Sequence, residues 1–314
     1  MRYIEYVNQL IGEATAKTEN LVLFGQNIAA GSHLSGLTKG LSVGKGGKII
    51  NTTNSETSQT GMGFGLMLQG VPSIFFVKQL DFLLLGVDHL LNTYNFIRQQ
   101  KPKTSFTIVP IMSDLGYHGV QSSFNNLGDI CSLARVPGFS ITNSFDAKAI
   151  ISNHLVAPGF RIITVGQRLF GTEILEVEAE KSAGDQSLFQ YSTGEAVTIV
   201  CFNLSFPYGV ELQKCLEDRG LSSSLFSVNG YTSLDWKLIT EDVQKTKKLV
   251  IIDDSKSANV SADNLLVEVL STSPQVLVTK VRHDLPFNGT WLSPNPDTLD
   301  IDYEALADKL ATGV

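Results

Sequence analysis

Three cysteines, Cys131, Cys201 and Cys215, are all that the 314 residues contain, and no two form a CxxC pair. So sparse and odd a set excludes a disulfide framework and a thiolate zinc site, and it predicts buried thiols in a reducing compartment. Long apolar runs are also missing: Ile74 to Leu91 is interrupted by Lys78, Asp81, Asp88 and His89, which rules it out as a membrane span. The opening Met1-Arg-Tyr-Ile-Glu-Tyr-Val-Asn lacks the charged-then-apolar order of a signal peptide, so the cytoplasm is the expected location. Positive charge is scarce as well. At a net charge of −7, the densest basic stretch, Lys45 to Lys48, is a glycine-bearing surface loop with no aromatic for base stacking, which argues against nucleic acid.

Signatures of self-contained catalysis are absent in turn. Gly61-Met-Gly63-Phe-Gly65 has the wrong spacing for a dinucleotide fingerprint. Gly40-Leu-Ser-Val-Gly44-Lys45 is one residue short of a phosphate loop and lacks the following Ser or Thr. There is no GxSxG elbow and no HExxH. The five histidines, His33, His89, His118, His154 and His283, lie far apart without metal-ligand spacing, so no metal site is expected from this chain alone.

What is present is an alternating α/β chain. Hydrophobic residues at 43% and charged residues at 18% are the proportions of a folded globular protein, and the length accommodates two domains. Residues 3–18 have helical spacing, and Leu21-Val-Leu-Phe24 reads as a short buried strand. The glycine-rich loop from Gln26 to Gly47 holds Asn27 and His33, at the carboxyl end of a strand where open α/β sheets place ligands. Then comes Asn51-Thr-Thr-Asn-Ser-Glu56, a polar stretch with one carboxylate, followed by glycines at 61, 63 and 65. It reads as a loop feeding a helix whose glycines admit close approach of a backbone or a flat ligand. Ser73 to Val77 is a strand, and Phe82 to Arg98 a long helix with Leu84, Val87, Leu91 and Tyr94 on one face. Ser105 to Ile111 is a strand, a helix carries Leu127, Ile130 and Leu133, and further elements follow at Phe139 to Thr142, Ala147 to Leu155 and Arg161 to Val165. After an acidic excursion with Glu173, Glu176, Glu178 and Glu180, strand and helix alternate again from Ala196 to Leu310. The expected fold is therefore α/β, with two doubly wound, mostly parallel-sheet domains. Residues 1–180 form the first, 181–195 a linker and 196–314 the second.

In its order and spacing the chain resembles the beta subunit of the heteromeric 2-oxoacid dehydrogenase first component, a thiamine-diphosphate family of pyruvate and branched-chain type. The resemblance rests on Phe24-Gly25, Asn51-Thr52, Glu56, Gly61 to Gly70, Asp81-Phe82, Asp88-His89-Leu-Leu-Asn92 and Phe96-Ile-Arg98. In the second half it rests on Val197-Thr-Ile-Val, Ser233-Leu-Asp235, Leu249 to Asp254 and Asp284-Leu-Pro286. It implies a pyrimidine-binding domain followed by a transketolase C-terminal-like domain. It also implies that Glu56 hydrogen-bonds the cofactor aminopyrimidine and promotes its activation. Asn27 and Gln79 fall on the cofactor side, and His33, Gln121 and Ser122 on the substrate side. Two positions depart from the family: Gln79 stands where an aromatic ring usually packs on the aminopyrimidine, and Gly119-Val-Gln-Ser122-Ser123 lacks the family histidine, for which His118 is the nearest substitute.

The Gly-Asp-Gly…Asn segment through which the family holds the diphosphate and Mg²⁺ belongs to an alpha subunit and is not found here. The resemblance thus implies an α₂β₂ assembly with an alpha-type partner and a cofactor site at the subunit interface. The expected activity is decarboxylation of a small-molecule 2-oxo acid, with transfer of the acyl or aldehyde unit to a lipoyl acyltransferase or another carbonyl acceptor. Neither nucleic acid nor a membrane is an expected partner. The alternatives are the C-terminal half of a split transketolase or carboligase, and a non-catalytic assembly subunit.

Overall fold

A computed structural model describes residues 1–116, 123–232, 234–257, 261–284 and 295–312. The first half contains α1 (Tyr3–Lys17), β1 (Val22–Gly25), β2 (Lys48–Asn51), α2 (Glu56–Leu68) and β3 (Ser73–Val77). A broken helical run with α3 (Leu80–Leu83) and α4 (Tyr94–Ile97) follows, then β4 (Ser105–Met112), α5 (Leu127–Ala134), β5 (Gly138–Ile141), α6 (Ser144–His154) and β6 (Gly159–Gly166). The six strands form one parallel sheet in the order β2-β1-β3-β4-β6-β5. β3 and β4 are buried along their whole length, which is why they read as unbroken apolar runs. Aromatic rings fasten α2 and α4 to the sheet: Phe64 packs edge-on to Phe106 at 5.0 Å, and Tyr94 lies 4.9 Å from Phe160.

Three details differ from expectation. Lys48–Asn51 is a strand, not part of a loop; as an edge strand with mostly exposed side chains it carries no apolar run. The expected helix from Phe82 to Arg98 is interrupted by a 3₁₀ turn at Leu84–Gly86 and a π turn at His89–Thr93. These change the residues per turn, so the buried set is Leu83, Leu90, Tyr94 and Ile97, and Leu84 faces solvent. On α5, Leu133 is exposed, and Cys131 and Ala134 are buried in its place.

The second half contains β7 (Lys181–Ser182), β8 (Leu188–Ser192), β9 (Val197–Phe202), α7 (Phe206–Glu217), β10 (Ser223–Val228), α8 (Lys237–Thr246), β11 (Lys248–Asp253), α9 (Ser261–Thr272), β12 (Leu277–Arg282) and α10 (Tyr303–Thr312). Its sheet runs β12-β11-β9-β10-β8-β7, parallel from β12 to β10 and antiparallel at β8 and β7. The fold is thus two mostly parallel α/β domains, as expected. Within the stretch expected as a linker, β7 and β8 extend the second sheet. Cys131 and Cys201 are buried, Cys215 is half-buried, and all three are free. No described helix is long and apolar enough to cross a membrane.

The two sheets meet at a hydrogen-bonded seam. Ser140 and Asn229 exchange main-chain and side-chain bonds at 2.9 and 2.8 Å, and Asn229 Nδ2 also donates to Asp146 at 2.7 Å. Asp146 meanwhile accepts from Thr142 and Asn143 at the start of α6, so one carboxylate both caps that helix and anchors the neighbouring domain.

Candidate functional site

Parallel pairing brings the carboxyl ends of β2, β1 and β3 side by side, with Gly25 opposite Asn51 on one flank and Phe76 on the other. Gly25 has φ +151°, and a Cβ there would lie 2.3 Å from the Phe76 carbonyl oxygen, so glycine alone permits so close a strand end. Thr52 N donates to Gly25 O at 3.0 Å, and Asn51 Oδ1 accepts from Ala29 N at 3.0 Å. These two bonds fasten the loop after β1 to the chain entering α2.

Glu56 is the first residue of α2, where the positive end of the helix favours a carboxylate. Its surroundings are held by Thr60 Oγ1, which donates to the Glu56 carbonyl at 2.8 Å, and by Gln59 Nε2, which donates to the Thr53 carbonyl. The residue is 7% exposed. Yet no described residue donates a hydrogen bond to its carboxylate; the nearby Gln59 and Thr60 side chains bond main-chain oxygens instead. Without a protein donor, the carboxylate oxygens are left to water or to a ligand.

The other expected site residues are placed as follows. Asn27 is half-buried two residues past the end of β1, in the left-handed region at φ +58°. Gln79, also half-buried, precedes α3 two residues past the end of β3. Glu56, Asn27 and Gln79 therefore share the carboxyl edge of three adjacent strands. His33 lies in the loop after β1, and its Nδ1 is 3.2 Å from the Ile28 carbonyl, a bond that orients the ring within its own loop. His118, Gln121 and Ser122 lie outside the described residues.

Next to this edge stands a carboxylate that sequence reasoning left without a role. Asp81, buried at the start of α3, accepts from Ser113 Oγ at 2.6 Å and from Ser123 N at 3.2 Å. It ties the end of β3 to the end of β4. Ser123 in turn receives Lys256 Nζ at 2.9 Å from the second domain. The signal in the sequence was the Asp81-Phe82 pair; its partners are more than thirty residues away. Asp114, the next residue after Ser113, turns toward the seam, where Arg168 N donates to it at 2.8 Å. Burial pushes Asp114 up to about 7, and the Arg168 charge limits the rise.

Fold and site together define a chain of two mostly parallel α/β domains with a carboxylate at the carboxyl edge of its first sheet. No family model matches it. Among solved structures, a split-gene transketolase described as an inactive beta4 tetramer superposes with a TM-score of 0.67 at 17% identity, covering 98% of this chain and 97% of that one. A transketolase from Campylobacter jejuni superposes with a TM-score of 0.66 at 11% identity, covering 89% of this chain and 42% of the longer one. Among curated proteins, the chain is similar to the beta subunit of acetoin:2,6-dichlorophenolindophenol oxidoreductase from Cupriavidus necator, 21% identical over 82% of this chain and 80% of that one. It is similar also to the pyruvate dehydrogenase E1 component subunit beta-1 of Oryza sativa subsp. japonica, 22% identical over 88% and 76%. The corresponding subunit of Staphylococcus epidermidis is 20% identical over 96% and 97%. The resemblance to first-component beta subunits read from the residues is thereby borne out, at a distance that fits an atypical member.

Proposed function

We propose that this chain is the beta-type subunit of a thiamine-diphosphate-dependent enzyme that decarboxylates a 2-oxo acid and passes the acyl or aldehyde unit to an acceptor. The observation that carries the reading is the Glu56 carboxylate, nine-tenths buried, without a protein donor and set at the carboxyl edge of the first sheet. That donor set fits an aminopyrimidine: a carboxyl oxygen in a largely dry pocket shares a proton with a weakly basic ring nitrogen. Glu56 would hold that proton, Gln79 would offer its amide to the ring system, and Asn27 would border the same edge. When bound, the cofactor supplies the carbanion-stabilising chemistry, and this chain supplies orientation and proton control. With an amide at Gln79 in place of an aromatic ring, the stacking contribution, on the order of 1 kcal/mol, is lost. The diphosphate and Mg²⁺ are assigned to an alpha-type partner in an α₂β₂ assembly in the cytoplasm, with a lipoyl domain or another carbonyl compound as acceptor. The likeness in fold to a split-gene transketolase supports a second reading, in which the same half-site serves ketol transfer.

The test is to co-express the chain with an alpha-type partner, titrate thiamine diphosphate and compare wild type with Glu56→Gln. The variant is expected to assemble but to lose turnover by about 10²- to 10⁴-fold, the range of a positioned acid–base group. Undiminished turnover would remove Glu56 from the chemistry. Absence of cofactor binding by any assembled complex would favour a scaffold. Turnover of ketose phosphates but not 2-oxo acids would favour the transketolase reading.

A further inference from the structure

In the second domain β9 lies between β10 and β11, so the crossovers leave in opposite directions and open a crevice at the carboxyl ends of these strands. That crevice contains a partly open pocket with about 20 Å³ of water-sized space, where Asn203, Tyr231, Asp253, Ser255 and Ser257 stand beside Phe202 and Val228, and Gly128 of α5 borders it from the first domain. It has room for one water-sized occupant.

Asp253 is 3% exposed and accepts a hydrogen bond from Ser255 N at 2.8 Å. Burial pushes it up to about 6, against the pull of the Ser255 bonds and of the Arg282 charge. Among the described residues no cation nitrogen lies within ion-pair distance of it, and the Arg282 charge reaches it only from the neighbouring strand. Arg168 is paired with Asp254, Lys256 with Asp297, and Arg282, its register partner on β12, with Asp263 at the surface. Ser257 Oγ, on the same wall, is fully buried and has no hydrogen-bond partner. A buried charge persists only when it is paired or bound to a metal, and a buried hydroxyl without a partner carries a desolvation penalty. One carboxylate and neutral hydroxyl oxygens around a single-ion cavity suit a monovalent cation. A divalent ion would demand more carboxylates or a larger hydrated space.

We propose that Asp253, Ser255 and Ser257 form a monovalent-cation site at the strand switch of the second domain, where a bound ion joins the end of β11 to α5 of the first domain. The site is independent of the cofactor reading.

The experiment melts the full chain in potassium, sodium or tetramethylammonium chloride at one ionic strength. Wild type is expected to melt about 2 °C higher in potassium or sodium chloride than in tetramethylammonium chloride, once the ion is tenfold above half-saturation. Asp253→Asn is expected to melt at one temperature in all three salts, and Ser257→Ala to shift half-saturation to higher ion concentration. Equal melting of wild type in all three salts overturns the site and leaves Asp253 satisfied by water or by a proton. So does an unchanged ion response in either variant. If Asp253→Asn does not fold, the Ser257→Ala titration decides alone.

Discussion

Asp114 shows what a single buried carboxyl contributes. Its Oδ1 accepts from Arg168 N, but Oδ2 is buried without a hydrogen bond, and the nearest cation nitrogen, Arg168 Nε, is 3.8 Å away. Arg168 is shared with Asp254 and Tyr208, and Asp254 and Asp297 face the same pocket with further negative charge. Hence burial lifts Asp114 from 3.8 to about 7. A folded-state value above the unfolded one means that stability is fully present below the unfolded value and is lost as pH rises toward the folded one. Between pH 4 and 7 the cost grows by about 1.4 kcal/mol per pH unit, and it levels off above that window. Asp114→Asn keeps an acceptor for Arg168 N and cannot ionise. It should match wild type near pH 4 and exceed it by a widening margin up to pH 7, as read from urea midpoints across that range. Because Asp146 and Asp253 are also raised, to about 6, the difference between the two proteins isolates Asp114. A margin that stayed constant with pH would refute the assignment.

At the scale of elements, α2 shows how far the glycine pattern could be read. Glycines at alternate positions of a helix point in different directions, so three similar letters have three different neighbours. A Cβ at Gly63 would sit 2.1 Å from the Phe106 ring, one at Gly61 would sit 2.9 Å from His89 Nε2, and one at Gly65 would meet nothing within 4 Å. Gly63→Ala should therefore lower stability by about 1–3 kcal/mol through overpacking against a fixed ring. Gly65→Ala should raise it by about 1 kcal/mol through helix propensity. Urea unfolding of the two variants checks the pair, and equal effects would mean that the helix faces are assigned incorrectly. The strands were legible in the sequence because β3 and β4 are buried on both faces; β2 was not, because an edge strand written Lys48-Ile-Ile-Asn51 buries too little to show a pattern. Helical spacing places Leu84 on one face with Val87, Leu91 and Tyr94, and the 3₁₀ and π turns defeat that spacing; Leu133, carried on one helix with Leu127 and Ile130, is exposed, and nothing in the structure of α5 explains it. Glu56 was legible because its loop and glycines are contiguous. The bonds of Asp81 to Ser113 and Ser123 were not, because they join distant stretches and no local period indicates them.

For the whole molecule, the decisive feature is that a buried ion pair of the second domain is completed by polar groups of the first. Lys256 and Asp297 pair at 2.7 Å with side chains 3% and 2% exposed, and Asn125 of the first domain bonds both Asp297 and the Asp254 carbonyl. Lys256 also reaches Ser123 beside the Asp81 cluster, so the second domain braces the edge that carries Glu56 in the first. Removing one member of such a pair leaves the other charge buried and uncompensated, at a cost of about 3–5 kcal/mol. Removing both leaves no orphaned charge, so the second loss should be much smaller than the first. Lys256→Met is thus expected to destabilise the chain by that amount, and adding Asp297→Asn should recover about 2 kcal/mol of it in a double-mutant cycle. Calorimetry supplies the second readout. If the seam makes the domains one cooperative unit, the wild type melts in a single transition and Lys256→Met separates it into two. Additive losses in the cycle, with one transition in every variant, would show that the pair stabilises only its own neighbourhood and that the packing of the two sheets, not this buried charge, couples the domains.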